Sequence, residues 1–205
     1  MSVVDLSSLA SKSTVVPTEP IWRLTVPQYH EMIRTGILTD DDPVELLEGW
    51  LVTKMPKNRS HSLSTRLARE ALEKIVPEGW YVDSQEPITT EDSEPEPDVT
   101  VVRGEPRDYA DRHPDPEAVS LLVEVSDTSL ARDRGPKKRL YAAARIPIYW
   151  IIHLAERQIE VYAEPSGPGE EPDYRSSHVY QASEEVPVVI DGRQIARIAA
   201  REMLP

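Results

Sequence analysis

The chain has 205 residues, a formal net charge of −13 at pH 7 and no cysteine, and its length is typical of one domain that buries its core without disulfides. The missing cysteine excludes a disulfide framework, a thiolate metal site and a cysteine nucleophile, and the acidic balance argues against a protein that coats nucleic acid by bulk charge. With no apolar run near the roughly 18 residues of a membrane span and no signal peptide in the sequence, we expect a cytoplasmic protein.

The predicted elements alternate between helices and strands. Residues 1–20 are rich in Ser and Thr and end in prolines, so we expect a flexible arm ahead of a single domain over residues 21–205. Capping, periodicity and turn residues predict the elements in chain order. The first half has a helix that begins at a Thr25/Gln28 capping box and ends at Gly36, two short strands or one bent strand over 44–56, a helix from about 60 to 76, and strands over 80–90, 97–102 and 119–126. The second half has a helix over 134–145, a hairpin over 146–154 and 158–164, strands over 174–181 and 186–192, and a short helix over 194–204. This order indicates a mixed α/β fold with a central sheet.

Two carboxylates stand out because they lie at or inside apolar strands. Asp98 lies at the start of the strand PDVTVV, and Glu124 lies inside LLVEVS with a valine on each side. A buried carboxylate without a partner is costly, so each residue needs a compensating group. A hard divalent cation such as Mg²⁺ takes carboxylate oxygens. A salt bridge or a partly exposed edge strand would explain the same residues.

A run of basic residues follows Glu124 closely and comprises Arg132, Arg134, Lys137, Lys138 and Arg139. Lys137 and Tyr141 are four residues apart and share a face of the predicted helix, which points the lysine inward toward the strand ends. Pro136 is expected in the first turn, where its missing N–H costs little. The run is either a local basic patch, which the acidic net charge does not exclude, or a solvated charged face.

Five segments, in this order, resemble those of the Uma-type restriction endonuclease family, within the PD-(D/E)xK nuclease superfamily. They are VELLEGWLVTKMP, HSLSTRLAREALEKI, EPEPDVTVV, LLVEVS and DRGPKKRLYAAARIPIYWII, and they span roughly residues 22–165. The last is the most specific, because the family pattern Asp-Arg, two residues, Lys, three residues, Tyr and then Pro-x-Tyr-Trp occurs here from Asp133 to Trp150. The resemblance implies a restriction-endonuclease-like core of the α/β (α+β) class, with a mixed central β-sheet flanked by helices.

The resemblance also implies roles for single residues. Asp98 and Glu124 match the two metal carboxylates of the family. Lys137 matches a lysine that the family takes from the following helix, whereas other superfamily members often carry it at the position of Ser126. Glu45 matches an acidic motif, and we expect it to make a further metal or water contact.

Three matching residues, Glu48, His61 and Tyr141, have an ordinary structural alternative. Glu48 also suits turn chemistry beside a glycine, and His61 also suits the polar start of a helix. Tyr141 would either support the lysine or pack the helix on the sheet. Arg134, together with Lys138, could contact phosphates. Two departures from the family pattern, His153 in place of an aspartate and Arg145 in place of a glycine, replace none of these ligands.

The resemblance implies a nuclease that uses Mg²⁺, or Mn²⁺, to hydrolyse phosphodiester bonds, with DNA as its partner. Asp98 and Glu124 would hold the metal, which polarises the phosphate and acidifies a water, and Lys137 would orient that water or stabilise developing charge. A non-catalytic nucleic-acid-binding or assembly protein with the same fold and a metal-dependent hydrolase of another phosphate ester are the alternatives. Apolar residues in 1–20 and 186–204 favour a homodimer, and no membrane partner is expected.

Overall fold

The computed structural model describes residues 20–39 and 41–205. Its helices and strands are α1 (Val26–Arg34), β1 (Val44–Leu47), β2 (Trp50–Thr53), α2 (Arg59–Glu73), β3 (Trp80–Asp83), β4 (Val99–Arg103), β5 (Val119–Ser126), α3 (Leu130–Arg132), α4 (Lys138–Ala143), β6 (Ile148–His153), β7 (Gln158–Pro165), β8 (Tyr174–Gln181), β9 (Glu185–Ile190) and β10 (Arg193–Ala199). The predicted arm lies outside the described residues except for Pro20. Within the described part of the chain, no helix is both long and apolar enough to cross a membrane.

A six-stranded sheet in the order β3-β4-β5-β6-β7-β8 forms the centre of the fold. Only β5 and β6 are parallel neighbours in this sheet, and the other adjacent pairs are antiparallel. Parallel neighbours need a long crossover connection, and the chain supplies it with α3 and α4 between the two strands. This mixed central sheet with flanking helices confirms the predicted fold class.

The two faces of the sheet are covered by different elements, as the alternation along β5 shows. Val123 belongs to a core cluster that includes residues of α2 and of the β9–β10 hairpin. Leu122 belongs to a second cluster that includes Leu140 and Tyr141 of α4. Since successive strand residues point to opposite faces, Glu124 shares the face of Leu122 and lies beneath the crossover helix.

The predicted C-terminal helix over 194–204 is wrong. Residues Arg193–Ala199 form strand β10, which pairs antiparallel with β9. The connecting residues Asp191 and Gly192 have φ values of 50° and 71°. Positive φ at both positions of a two-residue Asp-Gly turn belongs to a tight β-hairpin, so the chain reverses and pairs with its neighbour.

Two other element boundaries differ from the prediction. The helix predicted over 134–145 begins earlier, at Leu130, and contains a π-helical turn over Asp133–Lys137. Pro136 therefore lies inside this turn, and its predicted place in the first helical turn is wrong. The strand predicted over 80–90 ends at Asp83, where its pairing with β4 stops.

The apolar residues proposed for a dimer interface near the C-terminus are part of the chain's own core. Val186, Val188, Ile190, Ile198, Met203 and Leu204 are all buried. These six side chains pack in the cluster that covers one face of the sheet and are not free to form an interface, whereas Ile195 of β10 is 37% exposed. The homodimer stays a prediction, which the mass from light scattering at micromolar concentration tests.

Candidate functional site

The two carboxylates of the predicted metal site come from neighbouring parts of the sheet, because Asp98 directly precedes β4 and Glu124 lies in β5. Val99 of β4 pairs with Val123 of β5 in an antiparallel register, so Asp98, one residue before, faces Glu124, one residue after. Opposed residues in such a pair project on the same face of the sheet. Each of the two residues is 4% exposed, so both carboxylates lie within the protein at one edge of a cleft.

Asp98 is held in its charged form by three groups. Its Oδ2 accepts the backbone N–H of Val125 at 2.9 Å and lies 3.1 Å from Nε2 of His61. Its Oδ1 lies 3.6 Å from Nζ of Lys57. Burial alone would raise the pKa of Asp98, but the contact with His61, the backbone hydrogen bond and the lysine outweigh it and lower that pKa. Asp98 therefore presents a carboxylate in the cleft.

Glu124 is the centre of a buried hydrogen-bonded group. Its Oε1 accepts the Lys137 ammonium at 2.8 Å and the Tyr141 hydroxyl at 2.7 Å. Burial raises the pKa of Glu124, with the help of the surrounding carboxylates and against the opposing charge of Lys137, which favours the carboxylate. Among the described residues no hydrogen-bond donor reaches the other oxygen, Oε2, which leaves it available to a further ligand.

Lys137 bridges two carboxylates. In addition to Glu124, its Nζ lies 3.4 Å from Oε2 of Glu45. Burial would lower the pKa of the lysine, but the two glutamates outweigh it and raise that pKa. Glu45 reaches the site from β1, accepts the backbone N–H of Glu96 at 3.2 Å, and is 2% exposed. Asp98, Glu124, Lys137, Glu45 and His61 thus line one cleft, and Tyr141 bonds to Glu124 behind it; the roles expected of these residues stay predictions.

Three of the predicted supporting residues lie elsewhere. Glu48 has a φ of 48° in the turn before Gly49 and pairs with Arg139 at 2.7 Å, so its turn interpretation holds. Arg134 donates its Nε to Glu160 at 3.0 Å, and Lys138 pairs with Asp173 at 2.9 Å. Neither of these basic residues lines the cleft, and the expected phosphate contacts of Arg134 and Lys138 stay a prediction. Each is instead neutralised by a carboxylate of the chain.

The cleft contains residues that the sequence did not single out. Lys54, Lys57 and Asn58 lie on the segment between β2 and α2 and line it from one side. Asn58 also caps α2 by accepting the backbone N–H of His61 at 2.9 Å, which fixes the start of the helix that carries the histidine. The available signal was the basic segment KMPKNR at the start of that helix. The segment is far from Asp98 in sequence, so the contact between Lys57 and Asp98 could not be inferred from it.

The cleft has a volume of about 60 Å³, which holds a few waters or a hydrated ion but no nucleotide. Its lining includes Glu45, Asp98, Glu124, Lys137, His61, Lys57, Asp133 and Arg132. Within the described residues, no group of three or more His, Cys, Asp or Glu side chains is arranged to hold a metal ion. Mg²⁺ needs no such cage, because it commonly binds through one or two carboxylates and keeps several waters. The pair Asp98 and Glu124 fits that mode.

Comparison with known proteins identifies a family that the chain matches and a solved structure with a similar fold. A family model described as "Putative restriction endonuclease", Uma2, matches residues 26–197. Among solved structures, a putative nuclease belonging to DUF820 from Anabaena variabilis matches with a TM-score of 0.66 at 17% sequence identity, over 88% of this chain and 97% of that one. This likeness shows a shared fold. Comparison with curated proteins found no match.

Proposed function

Since the chain belongs to the Uma2 family of putative restriction endonucleases, we propose that it is a divalent-metal-dependent nuclease that hydrolyses phosphodiester bonds in DNA. One observation carries the proposal. Asp98 and Glu124 lie opposite each other in one cleft, and a lysine ammonium contacts one of them at 2.8 Å. Two oxygen ligands with an adjacent fixed cation form a donor set suited to a hard metal and an anionic substrate.

Asp98 and Glu124 are the residues that would hold the cation. When bound, Mg²⁺ or Mn²⁺ polarises a phosphate oxygen and makes a nearby water more acidic. Asp98 is fixed for this task by the Val125 backbone and by His61. The free Oε2 of Glu124 is the second donor, because its Oε1 is already engaged by Lys137 and Tyr141.

Lys137 would act as a fixed positive charge beside the phosphate. Its two carboxylate neighbours raise its pKa, so it remains an ammonium at neutral pH and is a poor general base. A charge that is oriented before the reaction stabilises the negative charge that develops on the phosphate oxygens without further reorganisation. Glu45 keeps the ammonium in place from the other side and is a positioning residue in this mechanism.

The substrate would approach from the open side of the cleft, since the interior is too small for a nucleotide. The segment between β2 and α2 borders that side with Lys54 and Lys57, and Lys57 lies 3.6 Å from Asp98. Phosphate contacts supply most of the affinity for DNA irrespective of sequence. We expect this segment to contact the backbone of the strand that is cut, in spite of the net charge of −13.

Cleavage of plasmid and single-stranded DNA with Mg²⁺ or Mn²⁺ tests the proposal. Asp98→Ala and Lys137→Ala should abolish cleavage while circular dichroism shows an intact fold. Asp173→Asn is the matched control, because Asp173 pairs with the neighbouring Lys138 outside the cleft, and it should cut like the wild type. A wild type that neither cuts DNA nor binds metal would overturn the proposal in favour of a binding or assembly protein with this fold.

A further inference from the structure

Lys137 enters the cleft from an irregular helix. After β5 the chain makes one α-helical turn, α3, then a π-helical turn over Asp133–Lys137, and then α4. The N–H of Lys138 donates to the carbonyl of Asp133, five residues back, which defines the π-turn. Pro136 lies inside it and would clash with the carbonyl four residues earlier in a regular α-helix, so this helix has a physical reason to widen here.

The π-turn changes which side chains share a face. An α-helix rotates about 100° per residue, so residues eight positions apart diverge by about 80° around its axis. One extra residue in a single turn removes most of that divergence. Asp133, Lys137 and Tyr141 are accordingly all buried, at 2%, 4% and 0% exposure. Lys137 and Tyr141, four residues apart, reach the same oxygen of Glu124, and the π-turn adds Asp133 to their buried face.

The first residue of the π-turn is fastened to the end of β5. Oδ2 of Asp133 accepts the hydroxyls of Ser126 and Ser129, each at 2.6 Å. Its backbone carbonyl accepts the hydroxyl of Tyr149 from β6 at 3.1 Å. These contacts bind the turn to both strands that the crossover connects. Ser126 lies two residues after Glu124, so its hydrogen bond to Asp133 holds the π-turn close to the carboxylate that Lys137 contacts.

We propose that Asp133 is a positioning residue that fastens the π-turn to Ser126 and Ser129 and so aims the Lys137 ammonium at Glu124. The geometric part of this proposal, that Asp133 positions Lys137, requires no assumption about function. Its consequence for catalysis rests on the proposed nuclease function. In this proposal Asp133 acts through its Oδ2, which accepts both serine hydroxyls, and not by direct contact with the substrate. Without the hydrogen bonds of Asp133, all residues of the site would still be present, but the Lys137 ammonium would be displaced from Glu124.

Brief acetylation of the native protein without metal or DNA, read residue by residue by mass spectrometry, tests the geometric part. Asp133→Ala and, as a milder variant, Ser126→Ala should raise the acetylation rate of Lys137 about tenfold, the factor expected for one lost hydrogen bond to a charged group. Ser126→Thr keeps the hydroxyl and should keep the protection. The control Asp173→Asn should expose Lys138 alone. Urea unfolding identifies any labelling that comes from global opening.

In the cleavage assay, Ser126→Ala and Asp133→Ala should lower kcat by about 10²-fold, as misplacement by about 1 Å does, with KM near the wild-type value. Unchanged Lys137 protection in both folded variants would overturn the positioning role. The two proposals fail separately. If labelling changes as expected but the wild type cuts no DNA, the nuclease proposal fails and the positioning of Lys137 stands. If the wild type cuts and both variants cut equally well, the positioning role fails.

Discussion

Replacement of Lys137 by methionine is expected to destabilise the folded protein substantially. The substitution keeps most of the side-chain volume but removes an ammonium whose side chain is 6% exposed and which contacts Glu124 and Glu45. Removal of one member of a buried ion pair typically costs about 3–5 kcal/mol, because the other charge stays buried without compensation.

The magnitude should fall at the lower end of that range. Burial raises the pKa of Glu124 against the opposing charge of the lysine, and without the lysine that pKa rises further. The carboxyl then takes up a proton at pH 7, which limits the penalty. We therefore expect Lys137→Met to lower the free energy of unfolding by about 3 kcal/mol. The double variant Lys137→Met/Glu124→Gln should recover about 2 kcal/mol of this loss, because it leaves no uncompensated charge at Glu124.

Urea unfolding at pH 7, followed by circular dichroism and tryptophan fluorescence, measures these differences. Lys138→Met is the matched control, since its ion pair with Asp173 lies at the surface and should contribute within about 0.5 kcal/mol. A loss below about 1 kcal/mol for Lys137→Met, or additive effects in the double variant, would refute the argument that the buried pair depends on mutual compensation.

Further predictions concern stability away from the cleft. Burial would raise the pKa of Glu160, but hydrogen bonds from Arg134 and Tyr162 outweigh it and lower that pKa. Glu160 therefore stabilises the fold above its unfolded-state pKa, and this contribution disappears as the pH falls through the lower folded value. Glu160→Gln should cost about 1 kcal/mol in urea unfolding at pH 7 and less at pH 3; an equal cost at both pH values would contradict this. Gly49→Ala should lower Tm more than Gly192→Ala does. Both glycines have positive φ, but of the two only Gly49 would bring the new Cβ against backbone, at 2.9 Å from the oxygen of Leu24. Equal losses of Tm would contradict this reasoning.

Local sequence signals predicted much of the fold. The capping box of Thr25 and Gln28 marks α1, and it is formed in the structure. The apolar run of β5 gave its bounds, since all eight of its residues are buried. The last strand, β10, was not predicted, because residues 194–204 were interpreted as a helix. The preceding Asp191-Gly192 is a hairpin signal. There the turn and the pairing with β9 decided the structure.

The candidate site was predictable where a residue conflicts with its local surroundings. A carboxylate between two valines pointed to Glu124, and the spacing to Tyr141 pointed Lys137 inward. The partners of Arg134 and Glu48 could not be predicted, because Glu160 and Arg139 come from distant parts of the chain. The same holds for the contact of Lys57 with Asp98. Tertiary packing alone decides whether such a charge faces the cleft or a neighbouring carboxylate.

Titration of the protein with Mn²⁺ in a calorimeter tests the central claim most directly. We expect about one ion per chain, in line with a single two-carboxylate site, and loss of that binding in Asp98→Asn. Glu94→Gln is the matched control, since Glu94 is buried to the same extent, at 3% exposure, but bonds to His30 and Thr89 outside the cleft. A wild type without binding, or an Asp98→Asn variant that binds as the wild type does, would contradict the account.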